Sequence, residues 1–110
     1  MEINKIPTTK QEGYKFIITE DKKEIASSFL YLLYNDHHER PFGLIEYVIV
    51  DEANRGEGLG TKVVEAMIGQ AKKDNCYKLI CTSRLTKPKV HAWYEKLGFN
   101  DWGKEFRMDF

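Results

Sequence analysis

The sequence predicts an α/β protein whose mixed sheet combines an antiparallel hairpin with a strand–helix–strand crossover. Four observations carry this expectation. Apolar side chains alternate with polar ones over residues 14–34, and branched and aromatic side chains fill residues 42–50. The apolar period then lengthens to about 3.6 over residues 58–73. A glycine-rich turn separates the last strand from this helix.

The hairpin comes first along the chain. Residues 1–13 are polar and irregular, so one ordered domain is expected over residues 14–110. The first strand alternates Tyr14, Phe16 and Ile18 with its other residues, and a polar turn over residues 20–23 leads into the second strand. In the second strand, over residues 24–34, one face carries Ile25, Ser27, Phe29, Tyr31 and Leu33.

The crossover and a closing strand follow. Branched and aromatic side chains predict a strand over residues 42–50. The next helix has one apolar stripe, and a short strand follows it over residues 77–82. Pro88 suits the first turn of a second helix, and Gly98 suits the position after its end. Alternation of Phe106 and Met108 with polar residues predicts a closing strand over residues 104–109.

Composition narrows the class of protein. The 110 residues suit one domain with its own core. The 17 basic and 17 acidic side chains cancel, which gives no electrostatic reason to expect nucleic acid or an anionic membrane as a partner. Cys76 and Cys81 lie too close in sequence to frame a disulfide scaffold, and the N-terminus has no signal-type pattern. We therefore expect reduced thiols and a cytoplasmic protein.

The turn from Arg55 to Gly60 has the chemistry of an anion site. Glycines let successive backbone N–H groups face an anion, and the helix that begins there adds unpaired N–H groups and a favourable dipole. Thr61-Lys62 reverses the order that a nucleoside-triphosphate loop needs, and the glycine spacing differs from the dinucleotide fingerprint. A glycine-rich turn without a ligand remains the alternative on this segment alone.

Two motifs then identify a family. Arg55-x-x-Gly58-x-Gly60 resembles the coenzyme A signature of the GCN5-related N-acetyltransferases (GNAT), and Trp93-Tyr94-Glu95-Lys96-Leu97-Gly98-Phe99 is similar to an element of that family's second helix. The resemblance covers residues 41–110. It implies a GNAT-like sheet and acetyl-CoA as cosubstrate, with no metal. The residues that it assigns to coenzyme A binding are Val48, Ile49, Val50, Arg55, Gly56, Glu57, Gly58, Leu59, Gly60 and Thr61.

The resemblance also assigns catalytic roles. Tyr94 aligns with a tyrosine that protonates the coenzyme A thiolate in many members, although a core tyrosine is the alternative. Glu46 is the candidate base, because it is the carboxylate within residues 42–50 and is expected to share a face with Leu44, Val48 and Val50. A carboxylate that pairs with a cation or faces water is the alternative. Cys81 is expected to pack as a small apolar residue, and His91 to face solvent.

The acceptor is less constrained. Typical members have a first strand and two helices before the hairpin, and these are expected to be absent here. An incomplete sheet edge favours a homodimer. The function expected is transfer of an acetyl group from acetyl-CoA to an amine of a small molecule. The alternatives are acetylation of proteins or peptides, and a non-catalytic acyl-CoA sensor or interaction module.

Overall fold

A computed structural model describes residues 1–8 and 10–110. Its elements are β1 (Gln11–Glu20), β2 (Lys23–Leu33), β3 (Phe42–Val50), a 3₁₀ turn (Glu52–Asn54), α1 (Leu59–Lys73), β4 (Leu79–Ile80) and α2 (Pro88–Lys96). The chain forms two compact units, residues 1–80 and residues 81–110, which are described separately. β1 begins three residues before the expected boundary at Tyr14, and the single domain over residues 14–110 stays a prediction.

The first unit contains the predicted mixed sheet. Its strand order is β1-β2-β3-β4, with antiparallel pairing up to β3 and parallel pairing between β3 and β4. Asp21 and Lys22 connect β1 to β2 and both have positive φ angles, of 51° and 65°. This is the backbone handedness that a two-residue hairpin turn requires, because it matches the twist of the strands. The predicted α/β class and its crossover are confirmed.

The core lies between α1 and one face of the sheet. α1 packs against β1, β2 and β3. The even-numbered face of β2 is buried along the strand, and the apolar stripe of α1 covers it. The buried residues of this face and of α1 are Ala26, Ser28, Leu30, Leu32, Leu59, Val63, Val64, Met67 and Ala71. The opposite face of β2 is buried at Ile25 and Ser27 and opens further along the strand, where Phe29 is half-buried and Tyr31 is exposed.

A bulge interrupts β3 at its centre. Ser27 pairs with Ile49, whereas Phe29, two residues later on β2, pairs with Glu46, three residues earlier on β3. The extra residue on β3 shifts the alternation, and Tyr47 adopts a left-handed backbone with φ of 54°. Because directly paired residues share a face, Glu46 lies on the face of Ile49. The expectation that Glu46 shares a face with Val50 is wrong, since Val50 pairs with Ala26 on the core face.

The second unit contains α2 and the C-terminal segment. α2 begins at Pro88, and Gly98 follows its end with φ of 107°, as the sequence predicts. The closing strand predicted over residues 104–109 is wrong, because these residues form neither helix nor strand. Alternation alone does not make a strand without a backbone partner, and Phe106 is 92% exposed. Among the described residues, no helix is long and apolar enough to cross a membrane.

Candidate active site

The glycine-rich turn forms an open cradle between β3 and α1. Gly56 and Gly58 have φ angles of 87° and 77°, which are left-handed conformations that residues with a Cβ adopt at a cost. A Cβ added to either glycine would meet no heavy atom within 4 Å. The space beside both residues is therefore open, and the conformation, rather than crowding inside the protein, explains why glycine stands there.

The first turn of α1 presents donors to this cradle. Gly58 caps α1 without a side-chain hydrogen bond, and the Lys62 N–H donates to its carbonyl at 3.1 Å. The N–H groups of Leu59 and Gly60 lie at the start of the helix, so no carbonyl of a preceding helical turn accepts from them. The positive end of the 15-residue helix dipole lies at the same point. An anion of pyrophosphate type fits this arrangement of donors and charge.

Arg55 connects the cradle to the end of β3. Its Nε donates to the Val50 carbonyl at 3.3 Å, and its side chain is exposed. Lys62, also exposed, adds a second cation to the first turn of α1, whereas the exposed Glu57 adds one negative charge. The cradle thus has a small surplus of positive charge over its side chains, and its backbone donors must supply most of the attraction for an anion.

The outer edge of β3 is open beside the cradle. β4 pairs with β3 only at Gly43 and Leu44. From residue 45 to residue 50, no described strand pairs with this edge. Val48 and Val50 are half-buried and Ile49 is exposed. Backbone groups on this edge can bind an extended chain in the way that a further strand would.

Glu46 lies on the more open face of the sheet, in one row with two residues of the neighbouring strands. Phe29 pairs with Glu46 on one side and with Lys15 on the other. Lys15 forms an ion pair with Glu24, and the distance between Lys15 Nζ and Glu24 Oε1 is 2.9 Å. The half-buried carboxylate of Glu46 forms no ion pair or side-chain hydrogen bond with the described residues of the first unit. Its carbonyl accepts from Ser28 Oγ at 2.9 Å, which holds the bulge.

Tyr94 belongs to the second unit and is enclosed by aromatic rings. Its ring lies 4.8 Å from that of Trp93 and 5.5 Å, edge to face, from that of Phe99. Burial, then the neighbouring Cys81, raises the pKa of Tyr94 to about 12. The phenol is therefore protonated at neutral pH, which is the state that a proton donor needs.

The environment of Cys81 is more polar than the sequence predicts. We expected a small apolar packing residue, but Cys81 and Tyr94 shift each other's pKa, which makes the thiol a polar neighbour of the phenol. Burial raises the pKa of Cys81 to about 11, while the neighbouring Tyr94 lowers it. The two residues are 13 positions apart, and that spacing gives no periodic signal for their proximity. His91 lies nearby in sequence, and its Nε2 forms a hydrogen bond with the Arg84 carbonyl at 2.7 Å.

The structure thus brings together part of the predicted site. The cradle, the open edge of β3 and Glu46 all lie in the first unit, whereas Tyr94 and Cys81 lie in the second. Among residues 1–8 and 10–110, no group of three or more His, Cys, Asp or Glu side chains could hold a metal ion.

Comparison with known proteins gives one family. The model of the acetyltransferase (GNAT) family matches residues 2–99. A rice protein named glucosamine 6-phosphate N-acetyltransferase 1 is 44% identical over 59 residues, which are 52% of this chain and 33% of the rice protein. The Trypanosoma brucei brucei protein named glucosamine 6-phosphate N-acetyltransferase is 37% identical over 70 residues, covering 64% of this chain and 46% of that protein.

A solved structure has the same fold. The glucosamine-6-phosphate N-acetyltransferase of Arabidopsis thaliana superposes with a TM-score of 0.81 at 28% identity. The superposition covers 89% of this chain and 67% of that one. Among the curated relatives, the matched stretches span less than half the length of each protein, at 33% and 46% for the two named above.

Proposed function

This chain belongs to the GNAT acetyltransferase family, and on that premise we propose that it transfers an acetyl group from acetyl-CoA to a primary amine of a small molecule. The observation that carries the proposal is the open glycine cradle at the N-terminus of α1, beside an unpaired strand edge. A pyrophosphate needs clustered N–H donors, and an extended pantetheine arm needs free backbone groups. Both are present within the first unit.

The cradle and the neighbouring edge of β3 would bind different parts of acetyl-CoA. N–H groups from Gly56 to Thr61 would bind the pyrophosphate, and the backbone of Val48, Ile49 and Val50 would bind the arm. The bulge at Tyr47 breaks the regular pairing of β3 with β2 just before this stretch. A backbone N–H of residues 48–50 would then polarise the thioester carbonyl, which is stabilisation of an oxyanion by a fixed donor.

The acceptor amine must lose a proton before it attacks. For a lysine-like amine this costs about 4.6 kcal/mol at pH 7, so a base or a water chain leading to one accelerates the reaction. We assign this role to Glu46, because its half-buried carboxylate has no cation partner among the described residues of the first unit. Tyr94, protonated at neutral pH, is assigned as the acid that returns a proton to the leaving thiolate.

The acceptor proposed is an amino sugar phosphate of the glucosamine 6-phosphate kind. The proposal rests on similarity to the proteins of rice, Trypanosoma brucei brucei and Arabidopsis thaliana that are named glucosamine 6-phosphate N-acetyltransferases. Release of coenzyme A thiol from acetyl-CoA, measured against a panel of amino sugars, their phosphates, simple amines and peptides, tests it. Turnover on peptides alone would favour a protein acetyltransferase. Tight acetyl-CoA binding without turnover on any amine would favour a sensor.

Glu46 has its own test. Glu46→Gln keeps the shape of the side chain and removes the base, so we expect kcat to fall by about a hundredfold. The matched control is Glu24→Gln, which removes a carboxylate from the same strand pair and leaves the proposed site intact. A Glu46→Gln rate equal to that of the native protein at every pH would remove Glu46 from the mechanism.

Two further assignments belong to this proposal. The outer edge of β1 offers ten residues that pair with no other described strand, which supports a homodimer. Cys76 and Cys81 form no disulfide with each other, which supports a cytoplasmic location.

A further inference from the structure

The face of the sheet opposite α1 exposes apolar and aromatic side chains in the first unit. Ile17 is 50% exposed, Tyr31 38% and Ile49 53%, and Phe29 is half-buried. An antiparallel sheet with one face in water usually presents polar side chains there. Exposed apolar surface with charged residues around it is typical of a binding surface. This face therefore has the character of a ligand site.

Two aromatic rings on this face are held in a fixed orientation. The rings of Phe29 and Tyr31 are stacked, with centroids 6.1 Å apart and planes 7° from parallel. Gly13 pairs with Tyr31, and a Cβ added to Gly13 would lie 3.0 Å from Tyr31 Cδ1. Glycine thus lets the tyrosine ring lie close against β1. Both rings border a surface depression of about 470 Å³ along β1 and β2.

Opposite charges flank Phe29 in the row that crosses the three strands. Lys15 on β1 and Glu46 on β3 each pair directly with Phe29. Directly paired residues are separated by about 5 Å at Cβ, so the two charged residues are about 10 Å apart. The row therefore presents an ammonium, an aromatic ring and a carboxylate in that order. An amino sugar phosphate has the complementary order of phosphate, ring and ammonium.

Lys15 can exchange its present partner for an anion. Its ion pair with Glu24 is exposed, since the two side chains are 45% and 43% accessible, and such pairs add little stability. Lys15 Nζ lies 5.8 Å from the centroid of the Phe29 ring, so an anion bound there would adjoin the ring. A phosphate monoester carries a charge of about −1.5 to −2 at pH 7 and attracts Lys15 more strongly than one carboxylate does. Glu12 also borders the depression, but its carboxylate pairs with Lys10 at 3.6 Å.

We propose that Phe29 and Tyr31 bind the acceptor: the sugar ring of an amino sugar phosphate stacks on their rings, its phosphate binds Lys15, and its amine faces Glu46. The C–H groups of the sugar lose contact with water against the aromatic surface, and the two charged ends decide which way round the sugar lies. The amine then lies beside the carboxylate assigned as base. This inference rests on the proposed function for the transfer itself, but binding of the acceptor can be measured without it.

The first test measures acceptor binding without any reaction. Coenzyme A without an acetyl group is added in excess, so that no transfer can occur, and the protein is titrated with glucosamine 6-phosphate. The aromatic NMR signals of the two rings are identified by their loss in Phe29→Leu and Tyr31→Leu. We expect both signals to shift with the sugar and to reach a plateau. Signals that stay in place, or that move only with protein concentration because a second copy covers the face, would overturn the proposal.

The second test examines the rings during turnover. Tyr31→Leu is expected to raise the KM for glucosamine 6-phosphate by about three- to tenfold, the loss of one aromatic contact, with the KM for acetyl-CoA unchanged. Tyr31→Phe keeps the ring and should have the native KM. A native KM in the leucine variant would exclude contact with the ring. Equal increases in both variants would indicate the hydroxyl rather than the ring, and either result overturns the proposal.

The third test examines the charge at the phosphate end. Lys15→Gln is expected to raise the KM for glucosamine 6-phosphate by about tenfold or more and to leave the KM for glucosamine unchanged. Glu24→Gln releases Lys15 and should lower the KM for the phosphate ester without a change in kcat. Lys73→Gln is the matched control, because it removes an exposed lysine from α1 on the other side of the sheet. Equal effects of Lys15→Gln on both sugars would overturn the assignment of the phosphate.

The tests separate this inference from the proposed function. If the native chain acetylates no amine, the proposed function fails, and the NMR titration still decides whether the two rings bind an amino sugar phosphate. If the chain acetylates glucosamine 6-phosphate and the ring signals do not move, the proposed function stands and the role of Phe29 and Tyr31 is overturned.

Discussion

At the scale of single residues, Gly58 meets two requirements at once. Its backbone is left-handed, with φ of 77°, and the space beside its α-carbon is open toward the cradle. A methyl group there would strain the backbone and occupy the space in which an anion approaches the N–H groups. Stability and ligand binding should therefore both respond to one substitution.

Gly58→Ala is expected to lower the free energy of unfolding by about 1–2 kcal/mol, the cost of a left-handed alanine. It should also raise the Kd for acetyl-CoA by about tenfold or more, as expected for one lost charge-assisted hydrogen bond. Chemical denaturation and calorimetric titration measure the two effects. Gly69→Ala is the matched control, because Gly69 lies inside α1 with nothing within 4 Å of an added Cβ.

Gly69→Ala should stabilise the protein by about 1 kcal/mol through helix propensity and leave the Kd unchanged. If both substitutions weaken binding equally, the cradle is not the coenzyme site.

The Cys81–Tyr94 pair predicts how stability depends on alkaline pH. Both folded-state pKa values are raised, to about 11 and about 12 from ordinary values of 9.0 and 10.0. The unfolded chain therefore loses these protons first as the pH rises, and the slope of unfolding free energy against pH is negative there. The contribution is complete below pH 9 and is lost as the pH rises toward 12.

Urea denaturation at pH 8, 9 and 10 measures this loss. Cys81→Ala should flatten the decline between pH 9 and pH 10, because it removes the group with the lower pKa. An identical decline in the native and variant proteins would contradict the assigned burial of the thiol.

At the scale of elements, the bulge in β3 decides where the candidate base lies. Without the extra residue, Glu46 and Val50 would share a face, and the face of Val50 is the one that α1 covers. Because of the bulge, Glu46 lies on the more open face of the sheet, whereas Val50 lies on the face that α1 covers. Ser28, fully buried, holds it through the bond from its Oγ to the Glu46 carbonyl at 2.9 Å.

Ser28→Ala is expected to lower the free energy of unfolding by about 1–3 kcal/mol, because it removes the Ser28 hydroxyl that donates to the part-buried Glu46 carbonyl. Ser27→Ala provides a control on the same strand, because among the described residues no such bond joins the Ser27 hydroxyl to β3, and it should cost about 0.5 kcal/mol or less. Thermal and urea denaturation measure both. If the two variants are equally stable, the serine bond does not hold the bulge.

At the scale of the whole molecule, acetyl-CoA binding should be visible as added stability. A ligand that binds only the folded chain adds about 2.7 kcal/mol when present at a hundred times its Kd. The thermal midpoint should therefore rise with acetyl-CoA, and the rise should shrink in Gly58→Ala at the same concentration. No rise at saturating acetyl-CoA would contradict the proposed cosubstrate.

Assembly is a separate property of the whole molecule. The ten residues of β1 have an outer edge that pairs with no described strand, so we expect a concentration-dependent dimer. Sedimentation equilibrium over a wide concentration range measures the mass directly. A monomer at every concentration would remove the homodimer from the proposed function.

Local signals explain how much was predictable. The period of α1, the proline at the start of α2 and the glycine after it are all encoded within a few residues, and β3 begins and ends where its pattern predicts. The glycine cradle and its family were predictable for the same reason, since the motif occupies one continuous segment. The closing strand failed because pairing depends on a partner strand that sequence alternation does not supply.

The sequence by itself determined the α/β class, the cradle from Arg55 to Gly60 and the family to which the chain belongs, because these depend on adjacent residues. The tertiary structure alone decided which face of β2 is buried, where the bulge in β3 turns Glu46, and that Cys81 meets Tyr94. Each of these depends on segments that are distant in sequence and meet only when the chain folds. The period of the apolar residues determines whether a segment forms a helix or a strand. Contacts between these elements determine the environment of each functional side chain.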